Sequence, residues 1–156
     1  MTIQIDTREH KWELARIQKQ LTNLGVKTIV SKLYVGDYQS LDNPRLVIDR
    51  KKNLVELCGN VCQQHERFRK ELVRAQEAGI RIIILCEEPG IHQLEDVYFW
   101  DNPRRKKSPK ATTGRSLYRS LVTIRDRYNV QFEFCRKTET GKRIMELLQY
   151  GEKKEG

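Results

Sequence analysis

The 156-residue chain has no apolar run long enough to cross a bilayer, and its N-terminus lacks the apolar core of a signal peptide. A helical membrane protein is therefore excluded, and the setting expected is cytoplasmic. Cysteine is scarce. Cys58, Cys62, Cys86 and Cys135 contain no CxxC pair, and His10, His65 and His92 stand at no zinc-ligand spacing from them. All four are read as reduced thiols in a core or on a helix face, as befits a reducing compartment. Internal repeats and an interdomain linker are also missing. The chain has the length of one domain.

Acidic charge is outweighed: 30 Lys and Arg against 21 Asp and Glu leave a net charge of +9. With 38% hydrophobic and 33% charged residues the composition is that of a folded globular domain. Its excess of cations suits a polyanion, because each cation set against a phosphate releases condensed counterions. A basic surface with no partner is the plain alternative.

Thr2 to Asp6 alternates apolar and polar residues and reads as a strand. Trp12, Leu14, Ala15, Ile17, Leu21 and Leu24 follow at helical spacing, with Gly25 as a stop. The β-branched stretch Val26 to Tyr34 reads as a second strand. Gly36–Ser40 and Arg45–Lys51 flank the turn-rich Leu41-Asp42-Asn43-Pro44 and predict a hairpin. One long helix is expected from about Asn53 to Ala78, then a strand at Ile80–Cys86, whose nearly continuous apolar run marks burial on both faces. Glu87 to Thr113 is irregular. Arg115–Tyr128 reads as a helix, Val130–Cys135 as a strand and Thr138–Leu148 as a closing helix. Strands alternating with helices indicate a single α/β domain, a central mixed sheet flanked by helices.

The hairpin carries the chemistry. Alternation puts Val47, Asp49 and Lys51 on one face and Leu46, Ile48 and Arg50 on the other. With Asp42-Asn43-Pro44 as the turn, Asp37 lies opposite Asp49 on the same face, with Cβ atoms roughly 5 Å apart. Two facing carboxylates repel unless a cation lies between them, and hard oxygen donors suit Mg²⁺ or Mn²⁺. Such an ion activates a bound water against a phosphodiester. Lys51, on the same face, can orient or deprotonate that water and attract the phosphate. Ordinary exposed hairpin charges are the bland alternative.

Ile5-Asp6-Thr7-Arg8-Glu9, Gly36-Asp37-Tyr38 and Ile48-Asp49-Arg50-Lys51 resemble, in order and spacing, three successive signatures of the XPF-type structure-specific nuclease domain: VDxRE, GDY and (V/I)ERK. That domain belongs to the restriction-endonuclease-like PD-(D/E)xK class. A looser likeness continues through the Ile80–Cys86 strand and the Leu117–Cys135 unit, so it covers nearly the whole chain. The resemblance implies a restriction-endonuclease-like fold over residues 1–150, with a charged tail at 151–156. It also implies that Asp37 and Asp49 ligate the metal, that Lys51 is the catalytic lysine, and that Arg50 sits beside the scissile phosphate. Asp6, Arg8 and Glu9 would border the same pocket. For Asp6 and Arg8 the alternative is a strand-end salt bridge, and for Glu9 an early-helix acid favoured by the helix dipole. Two positions depart from the family pattern: Asp49 stands where Glu is usual, and Val55 stands where an acid is usual, with Glu56 next to it.

Arg104, Arg105, Lys106 and Lys107 lie in the acid-free loop Asn102–Lys110, read as a flexible tracker of a phosphate backbone or else as a solvated loop. Tyr98, Phe99 and Trp100 before it are expected to anchor the loop to the core rather than to stack on a base. Arg67, with Arg69 and Lys70, is a further candidate for DNA contact, while Phe68 and Leu72 point inward. The family's helix-hairpin-helix modules have no room after Cys135, so a standalone bacterial or phage enzyme, or one domain of a longer protein, is expected. The closing stripe Ile144, Leu147 and Leu148 would pack on the domain or form a homodimer contact. The function expected is cleavage of branched DNA in repair or recombination; a catalytically silent DNA-binding subunit and a protein–protein scaffold are the alternatives.

Overall fold

A computed structural model describes residues 1–155, with side chains for 1–150; the tail expected at 151–156 thus lies outside the described side chains. It shows one domain, a mixed six-stranded sheet flanked by helices. In chain order the elements are β1 (Thr2–Ile5), α1 (Lys11–Asn23), β2 (Lys27–Val30), β3 (Tyr38–Ser40) and β4 (Leu46–Lys51), then α2 (Leu54–Cys62), α3 (His65–Glu77), β5 (Arg81–Cys86), α4 (Gly114–Tyr128), β6 (Gln131–Phe134) and α5 (Thr140–Glu155). The sheet runs β2-β1-β3-β4-β5-β6, with β1–β3 and β3–β4 antiparallel and the other pairs parallel. No helix among the described residues is long and apolar enough to cross a membrane.

Alternation along the strands divides the core in two. Val47, Ile82, Ile84, Cys86, Phe132 and Phe134 face α2, α3 and α4, where Leu57, Phe68, Leu72, Leu117 and Leu121 cover them. Ile3, Ile5, Leu46, Ile48, Ile83 and Leu85 face α1 and α5, against Ile17, Leu21, Ile144, Leu147 and Leu148. Every residue from Ile82 to Cys86 is buried, as expected of a strand covered on both faces. The closing stripe Ile144, Leu147 and Leu148 packs on its own domain.

Three elements differ from expectation. The second strand, an edge strand with mostly exposed side chains, stops at Val30; the Ser31 amide still donates to the Ile5 carbonyl at 3.0 Å, but beyond it the side chains of Gln4 and Asp6 replace the backbone as partners. Trp12 does not join the apolar face of α1, which buries Ile17 and Leu21; its ring is 76% exposed. The long helix breaks at Gln63–Gln64, where both amides bond to the Gly59 carbonyl. From Cys62 to Arg67 every residue is exposed, so no packing holds a helix through that stretch, and the bend lets both halves lie on the sheet.

Gly114 opens α4, with Thr113 capping the Ser116 amide. A Cβ there would stand 2.4 Å from the Trp100 carbonyl oxygen and 2.6 Å from that of Val97, both backbone atoms that cannot move aside. Gly114→Ala is therefore expected to cost about 3 kcal/mol of stability, read as a lower urea midpoint; an unchanged midpoint would show that the helix start can shift.

Candidate active site

The site is built at the C-terminal end of β4, where the hairpin partner turns away. Tyr38 pairs with Ile48, the register that the turn-length reading requires. Beyond that pair the ladder becomes irregular. Gly36 adopts φ +77°, and its backbone lies so close to Val47 that a Cβ would meet Cγ2 at 2.4 Å, so only glycine fits. The Asp37 amide donates to the Ile48 carbonyl at 2.8 Å, and the Arg50 amide donates to Asp37 Oδ2, also at 2.8 Å. The Asp37 carboxyl thus takes the place of a backbone acceptor, and it meets the carboxyl of Asp49.

Burial, and then the facing Asp49 charge, push the Asp37 carboxyl well above the usual carboxylate range. Asp49 is only 7% exposed. Lys51 Nζ lies 3.5 Å from Asp49 Oδ2 and 5.7 Å from the centre of the Phe68 ring. Burial would lower the Lys51 ammonium, but Asp49 and Glu56 outweigh it and hold the amine in its charged form. Asp37, Asp49 and Lys51 open together into a cleft of about 1020 Å³ that also takes in Arg8, Glu9, Arg50, Val55, Glu56, Arg67, Glu71 and Arg104.

Asp37 and Asp49 fit a hard divalent cation: all donors are oxygen, and two buried acids in contact lack a positive charge between them. Among the described residues no three His, Cys, Asp or Glu side chains converge on one point, so a bound ion would complete its shell with water and phosphate oxygens, as Mg²⁺ commonly does.

Arg50 borders the same cleft, but its guanidinium is committed to acids. Its side chain is 7% exposed and points to the opposite face of the sheet, where Glu9 takes Nε and Nη2 at 3.1 and 2.8 Å and Glu87 takes Nη1 at 2.5 Å. This follows from alternation, which sets Arg50 opposite in direction to Asp49 and Lys51. Glu9 also accepts from the Tyr38 hydroxyl at 2.7 Å, and Glu87 accepts from Arg16 and from the Thr140 hydroxyl. Glu9 is accordingly more than an early-helix acid. Asp6 and Arg8 form the strand-end pair, bidentate at 2.7 and 3.2 Å. Asp6 also accepts the amide of Leu33 at 2.8 Å, tying β1 to the segment after β2. Arg8 still reaches the cleft, whereas the buried Asp6 does not line it.

Glu56 begins α2, accepting the Lys52 amide while Asn53 caps its own. It lines the cleft, as does Val55, where the family pattern has an acid. Glu87 and Glu71 were not anticipated from the sequence. Glu71 reaches the site from α3, accepts the Gly36 amide, and is raised by burial and by Asp49. Its signal was present: an acid among Phe68, Leu72 and Ala75 on the buried stripe of a helix.

Of the basic loop, Arg104 alone lines the main cleft, together with Arg67 from α3. Arg105 turns back to the Ala111 carbonyl at 2.8 Å, while Lys106 and Lys107 are exposed. The loop is ordered where flexibility was expected: residues Pro103–Lys106 form a 3-10 turn capped by Asn102, whose amide also holds the Thr112 carbonyl. Trp100 packs against the core, as anticipated, but Phe99 is 83% exposed and anchors nothing.

The sequence matches the ERCC4 domain over residues 5–147, and the chain belongs to that family. Among curated proteins it finds no match. Two solved structures share the fold: XPF from Aeropyrum pernix (TM-score 0.69) and the same protein in a complex with DNA (TM-score 0.68). Each is 22% identical over 97% of this chain, which spans 65% of the length of that one.

Burial acts to raise the Glu9 carboxyl, but hydrogen bonds from Arg50 and Tyr38 outweigh it and the group titrates below its usual value. A lowered folded value contributes stability that is present above the unfolded pKa, about 4.3, and is lost as pH falls through the folded one. Glu9→Gln is expected to cost about 2 kcal/mol near neutral pH, with the gap to wild type narrowing below about pH 4. Urea midpoints across that range check this; a gap constant with pH would contradict it.

Proposed function

We propose that this chain is a divalent-metal-dependent endonuclease that hydrolyses phosphodiester bonds in branched or otherwise structured DNA, in repair or recombination. The observation that carries the reading is the contact of two buried carboxylates, Asp37 and Asp49, with the Lys51 ammonium at the base of a cleft lined by cations. Membership of the ERCC4 domain family and a fold shared with a protein solved in complex with DNA support it.

Asp37 and Asp49 would hold Mg²⁺ or Mn²⁺, and when bound the ion lowers the pKa of water and screens charge growing on the phosphate oxygens. Lys51 draws the scissile phosphate to Asp49 and donates to one of its oxygens. The Lys51 ammonium lies 5.7 Å from the Phe68 ring centre and 3.5 Å from Asp49, so it needs little ordering on binding. Arg8, Arg67 and Arg104 line the same cleft and would hold phosphates on either side of the cut.

A second reading, a catalytically silent DNA-binding subunit, is favoured by Val55 and by the short arm of Asp49 where the family has acids of longer reach or an added carboxylate. Cleavage separates the two. Asp37→Asn and Lys51→Ala should each lower Mn²⁺-dependent cutting of branched DNA by at least about a hundredfold, with DNA affinity and unfolding midpoint little changed. Unmutated rates in either variant would overturn the assigned roles, and an inert wild type would favour the silent subunit.

Replacing Arg104, Arg105, Lys106 and Lys107 together by Ser should weaken DNA binding. With Arg105 partly committed to Ala111, the slope of log affinity against log salt should flatten by about 2 to 3. An unaltered slope would take the loop out of the DNA path.

A further inference from the structure

Beside the main cleft, and sharing Arg8, Asp37, Asp49, Arg67 and Glu71 with it, is a second hollow of about 430 Å³. Its far wall is Tyr34, which follows the edge strand β2. The ring is 55% exposed, unusual for an aromatic so near a core, since its neighbours Leu33 and Val35 are both buried. Tyr34 is not left to swing. The Arg74 guanidinium carbon sits 4.0 Å from the ring centre, and its Nη2 donates to the Tyr34 carbonyl at 2.6 Å. One face of the ring is therefore backed by a cation, which leaves the other for a ligand. Arg67, Lys70 and Arg74 recur along α3 at helical spacing, so three cations from one helix line the hollow, joined by Arg8. The floor is the Asp37–Asp49 pair.

The geometry points to this hollow as a seat for one unpaired nucleotide next to the scissile phosphate, its base stacked on Tyr34 and its phosphate among Arg8, Lys70 and Arg74. This rests on the reading of the main cleft as a nuclease site. The chemistry selects for single-stranded character. A held aromatic ring backed by guanidinium stacks any base, but only a base whose own face is free. Bases within a duplex are stacked on both sides, and a hollow of this size admits one small ligand and not a double helix. DNA that is opened at a branch offers such a base at no unstacking cost, whereas a continuous duplex must first be disrupted. Tyr34 thus gives a reason, within this chain alone, for preferring a branch.

The test uses a flap DNA and a fully paired duplex of equal length, each carrying 2-aminopurine, at the first unpaired position in the flap and at the matching position in the duplex, bound in Ca²⁺, a hard divalent ion that screens the paired acids, before Mn²⁺ is added. Wild type should quench the flap probe on binding, and Tyr34→Phe should keep the quench. Tyr34→Leu should abolish it and weaken flap binding about five- to a hundredfold, with duplex affinity within a factor of about two. Equal quenching and affinity in Tyr34→Leu, or equal loss on both DNAs, overturns the seat. Cleavage with Mn²⁺ is read on the same DNAs. A Tyr34-dependent quench without any cutting would overturn the nuclease reading and leave the seat standing; cutting that ignores Tyr34→Leu in rate and position, with no change in quench, would do the reverse.

Discussion

The end of β4 is fixed by one buried guanidinium. Arg50 is clamped by Glu9, which enters α1, and by Glu87, which follows β5. Through Glu87 the same network reaches Arg16 and the Thr140 hydroxyl at the start of α5. Charge of both signs is taken out of water here, and such a group is tolerable only when each donor is met. All three nitrogen positions of Arg50 are. Because a strand alternates its faces, a residue locked on one side sets its neighbours on the other. Asp49 and Lys51 are thereby presented to the cleft, where they also contact each other.

That arrangement allows the site to be electrostatically unfavourable by itself. Asp37, Asp49 and Glu71 crowd one corner, and for both Asp37 and Glu71 burial and a neighbouring acid act together to raise the carboxyl. Among the described residues only Lys51 lies beside them as a counter-charge within 4 Å. The stability that holds them comes from elsewhere, from the buried apolar strand β5 and the two cores on either side of it. A site that waits for a cation has this character: its cost is carried by the scaffold until a ligand offsets it.

Much of this was legible in a single chain because it is local. The opposition of Asp37 and Asp49 needs only strand alternation and a loop of the right length, and although the ladder loosens at Gly36, the register survives. The direction of Arg50, opposite to that of Asp49 and Lys51, was equally legible from alternation. Glu87 was hidden for a different reason. Its partners, Arg16, Arg50 and Thr140, are 37 to 71 residues away, and no periodic pattern encodes which helix start will meet which strand end. The helix break at Gln63–Gln64 lay between. Its one sequence signal is a gap in the apolar period, Gln63 to Arg67, which coincides with the exposed stretch Cys62 to Arg67.

Net charge is the least local property and the least informative until it is placed. An excess of +9 says nothing about position. In the fold several of the cations are spent on acids: Arg16 on Glu13 and Glu87, Arg50 on Glu9 and Glu87, Arg143 on Glu133 and Glu146. Those that rim the acidic corner form a different set. Arg67, Lys70 and Arg74 stand along α3 on one side, and Arg104 stands on the other. An anionic chain held in the cleft by these cations also meets Asp37 and Asp49, and it is repelled by them unless a cation bridges it to them. Affinity from the rim and chemistry at the centre are thus separable. The rim draws in any polyanion, while the central acids admit a phosphate only together with metal.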